Sequence, residues 1–596
     1  MAHGSGMEIR KGIPVSPGIA IREAFVLDSE EATIRRREVA PEEVEKEVKR
    51  LNRGVADAVK EIRASQKRAE AKIGKEYVAI FETHVTYLER GLKDEFIKQI
   101  REEHYSAEYA VSTVMRRWVK TLMATEYTAA RVPDIFDVQK RLLRSLLGGR
   151  RADINKLDEP VAIIAHDLTP SQTIEFEKDK VTGFATDAGG KTSHVAILAR
   201  AMSIPAVVGL GTITADVSGG DMVIIDGNTG DVIINPDDET LRKYRQLARS
   251  IEVFEMELAV ELHDLPAETT DGYRVAIYAN IEFPEEIPKA VERGAEGIGL
   301  YRTEYLYVQK GRMPTEQEHF EAYHTALQQL GDRPLTIRTL DLAGDKFFGE
   351  TPPPIERNPL LGRRSIRLSF EQVDIFKTQL RAILRASAYG KIRILFPMIS
   401  TRGELLRAKE ILEEVKLELN AEGIPVDKDI EVGIMVEVPS AALIGDILAK
   451  DSDFFSIGTN DLVQYCLAVD RANEQVASLY SPAHPAVLRL IKSVIDVGNR
   501  YQDEHRRGLP VGMCGEMSGD IAYATLLLGL GLKEFSVSSA MIPEIKKMIR
   551  SVDMKTAREI ANKAITFTDA EQTQEYLKDI SERLMPEPSA RVASEA

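Results

Sequence analysis

The residue type and setting most suggestive of chemistry in this chain is a histidine, His194, in the string GGKTSHVAILARAM (Gly189 to Met202). A glycine pair and three small or polar residues lead into the ring, and an apolar, helix-compatible run begins at it. This places the imidazole on the first turn of a helix, where backbone amides lack intrahelical acceptors and the helix dipole favours an anion. An imidazole beside an anion site suits a nucleophile that carries a phosphoryl group. A histidine at a helix start is often only a packed or hydrogen-bonded residue, and the whole string is more specific than its one ring.

A second set of reactive types lies in the C-terminal half. Arg302 stands in GIGLYRTEYLY, Arg338 in TIRTLDLAGDK, Arg364 in NPLLGRRSIRL and Arg471 in LAVDRAN. A planar, permanently charged fork suits phosphate and carboxylate together. Arg302 and Arg338 directly end apolar runs, which sets them apart from ordinary surface arginines. Glu437 in IMVEVPSA and Asp461 in FFSIGTNDLVQY also follow apolar runs, where a buried carboxylate is costly unless paired or metal-bound. Two carboxylates completed by substrate oxygens are a typical Mg²⁺ arrangement, and the neighbouring Asn460 can donate to a substrate oxygen. Cys514 in GMCGEMSGD has Gly512 and Gly515 beside it. These glycines predict an accessible thiol at a strand end, a nucleophile or proton donor. The plain alternative is a buried apolar cysteine, the class to which Cys466 in QYCLAV is assigned. His166 and His484 read as structural. No CxxC, HExxH or GxxxxGK[ST] string occurs, which argues against a zinc site and a P-loop.

The elements that must position these residues are legible from periodicity. Residues Lys11 to Leu27 read as short strands punctuated by Pro14, Pro17 and Gly18. From about Ala40 to Leu147 the period is helical, opened by Pro41-Glu42-Glu43. Strand character returns at Val161 to Ala165 and continues past His194, so a helical block is inserted into an α/β domain. Gly219 to Asn235 predicts two strands across a turn at Asn228-Thr229-Gly230. Asp238 to Ala259 is amphipathic and reads as a connecting helix. Beyond Leu265-Pro266, eight apolar runs alternate with helical segments: Val275 to Ile281, Gly297 to Tyr301, Leu335 to Leu340, Ile392 to Ile399, Val432 to Val438, Phe454 to Ile457, Val511 to Met513 and Phe535 to Ser538. That alternation predicts a (β/α)8 barrel, whose catalytic groups collect at the C-terminal ends of the strands. Asn280, Arg302, Arg338, Asp341, Glu437, Asn460, Asp461, Cys514 and Glu516 all fall there.

Composition bounds the partners. The 596 residues call for several domains. A net charge of -16 argues against a nucleic-acid binder and suits a partner with a basic patch. No apolar run reaches the roughly 18 residues of a membrane span, so no membrane insertion is expected. With 2 cysteines there is no disulfide framework, which points to the cytoplasm. Residues 1–6 read as a tag remnant with Met7 as the natural start, so His3 is set aside.

Nine strings in order, KGIPVSPGIAI, DLTPSQT, GGKTSHVAILAR, GIGLYRTEYLY, RTLDLAGDK, NPLLGRRSIRL, MVEVPSA, FFSIGTNDLVQYCLAVDR and GMCGEMSGD, give the chain a close resemblance to the enzyme I family of the bacterial phosphoenolpyruvate:sugar phosphotransferase system. The resemblance runs from about Met7 to Leu584. It implies a multidomain α/β protein: a phosphohistidine domain (7–39 and 148–236), an inserted helical domain for docking the phosphocarrier protein HPr (40–147), a connecting helix (237–264), a phosphoenolpyruvate-binding and dimerising barrel (265–584) and a tail (585–596). It implies that His194 accepts the phosphoryl group of phosphoenolpyruvate, with Thr169 as a hydrogen-bond partner, and passes it to HPr as pyruvate leaves. Arg302, Arg338, Arg364, Arg471 and Asn460 would bind substrate, Glu437 and Asp461 would hold Mg²⁺, and Cys514 would protonate the enolate. Homodimers through the barrel are usual in the family. Two positions depart from it: Arg363 stands where an aromatic residue is common, and Phe136 where an arginine is. Pyruvate phosphate dikinase and phosphoenolpyruvate synthase share the histidine string and the barrel but need an ATP-binding domain, for which the segment before His194 is too short. A regulatory relative without turnover is the remaining alternative, against which the full set of reactive residues argues.

Overall fold

The computed structural model of the chain describes residues 7–27, 37–73, 92–122, 160–168, 180–190, 204–310, 312–342, 358–471, 476–502 and 508–585, with 85, 88, 138–139, 141–143, 145–146, 196, 199 and 473. His194, Thr169, Phe136, the tag remnant and the tail from 586 lie outside the described residues. Two compact units are present, Met1–Arg249 and Ser250–Ala596.

The first unit is built on an eight-stranded sheet. Its strands are β1 (Glu8–Lys11), β2 (Ile13–Ser16), β3 (Ile19–Leu27), β4 (Val161–Ala165), β5 (Val181–Thr186), β6 (Ala206–Val208), β7 (Met222–Asp226) and β8 (Asp231–Ile234), in the order β1-β8-β7-β3-β4-β5-β6-β2. The unbroken apolar run of β4, VAIIA, follows from burial on both faces. Ile163 and Ala165 join the cluster of Phe25, Phe184 and Val208, while Ala162 and Ile164 join that of Ala185, Val207 and Ile225. The expected turn between β7 and β8 is present, with Asp226 Oδ1 accepting the N–H groups of Asn228 at 2.9 Å and Thr229 at 3.2 Å.

The helical block enters between β3 and β4, which are parallel neighbours in the sheet. Helices α1 (Val44–Ile73), α2 (Lys93–Glu103) and α3 (Ala107–Leu122) close on Leu51, Phe96, Ile100, Val111, Met115 and Leu142. Trp118 of α3, the chain's one tryptophan, donates its indole N–H to the Glu95 carboxylate at 3.3 Å. The expected connecting segment is a continuous helix, α4 (Asp238–Leu262). Its C-terminal carbonyl at Leu262 accepts from the buried Lys546 Nζ at 2.9 Å.

The second unit is a closed barrel of eight parallel strands: β9 (Ala276–Ile281), β10 (Ile298–Arg302), β11 (Leu335–Arg338), β12 (Ile392–Phe396), β13 (Glu431–Val436), β14 (Phe455–Ile457), β15 (Val511–Met513) and β16 (Glu534–Ser538), which pairs back to β9. Around it run α5 (Glu316–Leu330), α6 (Val373–Ser387), α7 (Arg402–Ala421), α8 (Thr459–Leu467), α9 (Pro485–Arg500), α10 (Ile521–Leu530), α11 (Ile542–Arg550), α12 (Met554–Ala564) and α13 (Ala570–Leu584). Capping boxes start α5 and α7: Thr315 with Glu318, and Thr401 with Glu404. Helix α10, IAYATLLLGL, is buried along most of its length, because α12 and α13 cover the side that an outer barrel helix usually leaves to water.

All eight expected strands are present, but three end earlier than their apolar runs. The ladders stop at Arg338, Phe396 and Val436. Leu340, Met398 and Ile399 beyond them are buried in the loops of the mouth rather than in the sheet. Among the described residues no helix is long and apolar enough to cross a membrane.

Candidate active site

The C-terminal mouth of the barrel gathers buried charge. Arg302 ends β10 and donates through Nη1 to Glu282 Oε1 at 2.9 Å. Arg338 ends β11, with Nη2 at 3.2 Å from Glu304 and Nη1 at 2.9 Å from Asp341. Arg364 follows in the loop before residue 366. Its Nη2 bridges Asp341 at 3.0 Å and Asp461 at 3.3 Å, and its Nη1 donates to Tyr465 Oη at 2.9 Å. The Nε–H groups of Arg338 and Arg364 are buried and have no hydrogen-bond partner among the described residues. These donors are what an added anion would satisfy.

The carboxylates are as deeply placed. Glu437 follows β13 directly and is 1% exposed; Asp461, in the first turn of α8, is 6% exposed. Glu437 Oε1 accepts the Met398 N–H at 2.6 Å, and Met398 holds φ +57 to present it. A positive φ is uncommon for a side chain of this kind and tends to persist where surrounding structure enforces it. Gly458 lets α8 approach: a Cβ there would stand 3.0 Å from Glu437 Oε2. Burial, then repulsion from Asp461 and Asp341, holds the Glu437 carboxyl well above its usual range, against the pull of Arg338 and Arg364. Asp341 shows the opposite outcome. Burial alone would raise it, but Arg338, Arg364 and the Ser365 hydroxyl hold it below the ordinary aspartate value.

Cys514 follows β15 and is 2% exposed, so the expected accessible thiol is not found. Its glycines serve packing instead. A Cβ on Gly515 would collide with the backbone N of Thr459 at 2.5 Å, so that glycine lets the start of α8 close over the thiol. Sγ packs with Leu300, Leu395, Met435 and Phe454 and accepts a hydrogen bond from Ser456 Oγ at 3.1 Å. Burial pushes this thiol up, while Ser456, Arg338 and Arg302 pull it back and Glu437 adds to the rise. A thiol in this setting is protonated at neutral pH, as a proton donor must be. Cys466 is partly buried on α8.

Among the sequence-derived candidates, Arg364 and Asp461 are in direct contact. Arg338, Glu437 and Cys514 lie within each other's electrostatic reach. Asn460 has its amide turned to Glu516, accepting that residue's N–H at 3.0 Å. Arg471 stands at the rim, where its backbone N–H donates to Gln464 at 3.2 Å and its charge acts on Tyr480. Asn280 is committed to the protein, donating to the carbonyls of Cys514 at 3.0 Å and Ser536 at 3.2 Å. Sequence reasoning placed Asp341 at the catalytic face without a specific role, and gave none to Glu304, Glu282, Tyr465 or Ser456. Their one available signal was position beside a strand end or on α8. On the described flank of His194, the loop after β5 is tied to the loop after β4: Ala188 N donates to His166 O at 2.9 Å, and Asp187 lies 3.4 Å from His166 Nδ1.

A parallel barrel whose mouth is lined by arginines agrees with the likeness to known proteins. Residues 257–554 match the PEP-binding domain of PEP-utilising enzymes, 157–230 their mobile domain and 11–131 their N-terminal domain. The phosphoenolpyruvate-protein phosphotransferase of Geobacillus stearothermophilus is 45% identical over 570 residues, covering 95% of this chain and 97% of that one. That of Staphylococcus carnosus (strain TM300) is 43% identical over 576 residues, covering 96% and 99%. The Priestia megaterium protein of the same name is 43% identical over 571 residues, covering 95% and 98%. The chain belongs to the phosphoenolpyruvate-protein phosphotransferase family of PEP-utilising enzymes.

Proposed function

We propose that this protein takes the phosphoryl group of phosphoenolpyruvate onto His194, releases pyruvate and passes the group to a histidine of the phosphocarrier HPr, the first step of sugar uptake by a phosphotransferase system. The observation that carries the substrate half is the mouth itself: three arginines, each paired with acids, two of them with a buried Nε–H left for an incoming oxygen. Phosphoenolpyruvate carries a phosphate and a carboxylate, and planar forks at Arg302, Arg338 and Arg364 suit both, with Arg471 and Asn460 at the rim.

Glu437 and Asp461 fit a divalent cation. Both are oxygen donors, both are buried, and negative charge is in excess around Glu437. Mg²⁺ held there would offset the charge on the phosphoryl oxygens. The arginines orient the phosphoryl group for in-line attack by the His194 ring and stabilise its charge as the P–O bond breaks. The enolate left behind takes the Cys514 proton at carbon three, giving pyruvate and a thiolate that Ser456 and the nearby arginines stabilise. His194 and the mouth belong to different units, so transfer requires them to meet and separate. The helical block is the docking face for HPr, and the net charge of -16 suits a basic partner surface. A cytoplasmic homodimer, joined through the barrel, completes the reading.

Incubation with phosphoenolpyruvate and Mg²⁺ should add the mass of one phosphate to the wild-type chain as an acid-labile adduct. His194→Ala should fold and gain none. Acid-labile phosphate on that variant would remove His194 as the acceptor.

A further inference from the structure

Behind the mouth, in the wall of the barrel, one amide side chain ties together the two strand ends that carry Arg302 and Arg338. Gln379 lies on α6 and is 1% exposed. Its Nε2 donates to Thr303 Oγ1 at 3.0 Å and to Tyr323 Oη at 3.3 Å, and its Oε1 accepts the Leu340 N–H at 2.9 Å. Both amide hydrogens and the oxygen are therefore used. Thr303, itself 0% exposed, donates its hydroxyl to the Arg338 carbonyl at 3.0 Å.

The addresses of these contacts matter. Thr303 is the single residue between Arg302 and Glu304, and Glu304 is the partner of Arg338. Leu340 directly precedes Asp341, which pairs with both Arg338 and Arg364. The two loops meet again where Asp341 N donates to Glu304 Oε1 at 2.9 Å. Gln379 touches none of the charged groups, yet it fixes the backbone on either side of them. We infer that Gln379 is a positioning residue for substrate binding: its amide sets the spacing of the β10 and β11 ends, and through them the aim of Arg302 and Arg338. The inference rests on the reading of those arginines as phosphoenolpyruvate ligands. Gln379→Leu fills a similar volume but leaves Thr303 Oγ1 without its donor and the buried Leu340 N–H without its acceptor. The two loops lose their common tether, and misplacement of a binding group by an ångström is enough to cost an order of magnitude or more.

The test uses the full-length protein with phosphoenolpyruvate as substrate, Mg²⁺ present, HPr in excess as the phosphoryl acceptor, and pyruvate release as the readout. Gln379→Leu should lower kcat/KM about tenfold, mainly through KM. Gln379→Glu, which keeps an acceptor for Leu340, should lose less and serves if the leucine variant fails to fold. Tyr323→Phe removes the contact of the amide that points away from the mouth, together with the hydroxyl's hydrogen bond to His319 Nδ1 at 3.0 Å; it should lower the melting temperature while leaving KM near wild type. In an Arg338→Lys background the Gln379→Leu penalty should shrink, because the part that acts through Arg338 is already lost and only the part through Arg302 remains. The inference is overturned if both Gln379 variants match wild type, if Tyr323→Phe raises KM as much, or if the penalty is undiminished beside Arg338→Lys. If Arg338→Lys itself leaves KM unchanged, the substrate site is wrong and this inference falls with it.

Discussion

Strand β13 carries a glutamate at each end, and the two live in opposite worlds. At its start, Glu431 is more than half exposed and meets Arg393 Nε at 3.0 Å. Arg393 is 8% exposed; it also pairs with Glu534 at 3.1 Å and lies over the Phe454 ring at 3.9 Å. That lower end has one cation, two acids and an aromatic face, and serves as a plug. Just past the other end of the strand, Glu437 sits 1% exposed among acids and arginines whose charges do not cancel locally. The lower cluster also leaves Arg393 Nε without a hydrogen bond, but that atom stands 3.0 Å from the solvated Glu431 carboxylate, whereas the upper cluster holds its surplus negative charge buried at Glu437. Buried ionic groups are costly in either case. A charge surplus sealed from water is therefore evidence for a ligand, and a surplus of the same residue types that water reaches is not.

The contrast breaks most visibly at the upper end. Arg338→Ala should reduce phosphoenolpyruvate-dependent phosphorylation ~10³–10⁵-fold, the range seen for arginines that neutralise phosphoryl charge. A rate within tenfold of wild type would make the upper cluster structural too. Cys514→Ala should leave substrate binding nearly intact and slow pyruvate formation about 10²–10⁴-fold; unchanged pyruvate release would return the cysteine to the core. Asp461→Ala should move the Mg²⁺ requirement up ~10²-fold, with the wild-type titration curve as the result that refutes the metal assignment.

Smaller effects sharpen the lower end and the wall. Arg393→Met should cost roughly 3 to 5 kcal/mol of unfolding free energy, because two acids lose their cation. Its kcat/KM per folded molecule should stay within twofold, and a larger loss would mean that the plug reaches the mouth. In the wall, His319 lies between Tyr307 and Tyr323, and burial pushes it down to about 4. The unfolded ring titrates near 6.5, so between those values the unfolded chain binds the proton and the native one does not. Stability is full above about pH 6.5 and falls by about 3 kcal/mol as pH drops towards 4. His319→Gln should lack this part of the slope. Parallel stability curves for the two proteins would show that the ring titrates normally.

The contrast also explains what sequence could reveal. Strand positions were legible because an apolar run of three to eight residues must be buried wherever it falls. Strand ends were less so: Leu340, Met398 and Ile399 are as apolar as the ladder but pack the mouth loops. Arg302, Arg338 and Glu437 could be found because charge directly after an apolar run is costly without a purpose. Their partners could not. Nothing in FEQVDIFKTQL marks Gln379 as facing inward, and nothing local ties Asp341 to Arg364. The glycines beside Cys514 were misread, since a missing side chain admits a neighbouring backbone as readily as it admits water.

Trp118 has a practical bearing on all these measurements. The only indole in the chain is lodged in α3, held to Glu95 of α2. Intrinsic tryptophan emission is thus a spectroscopic reporter of the helical block alone and blind to the barrel. Far-ultraviolet circular dichroism, by contrast, averages over both units. A melting curve followed by emission and one followed by ellipticity will superimpose only if the helical block and the barrel unfold as one cooperative body. The barrel variants above should shift the ellipticity curve, and the emission curve will tell whether the helical block notices.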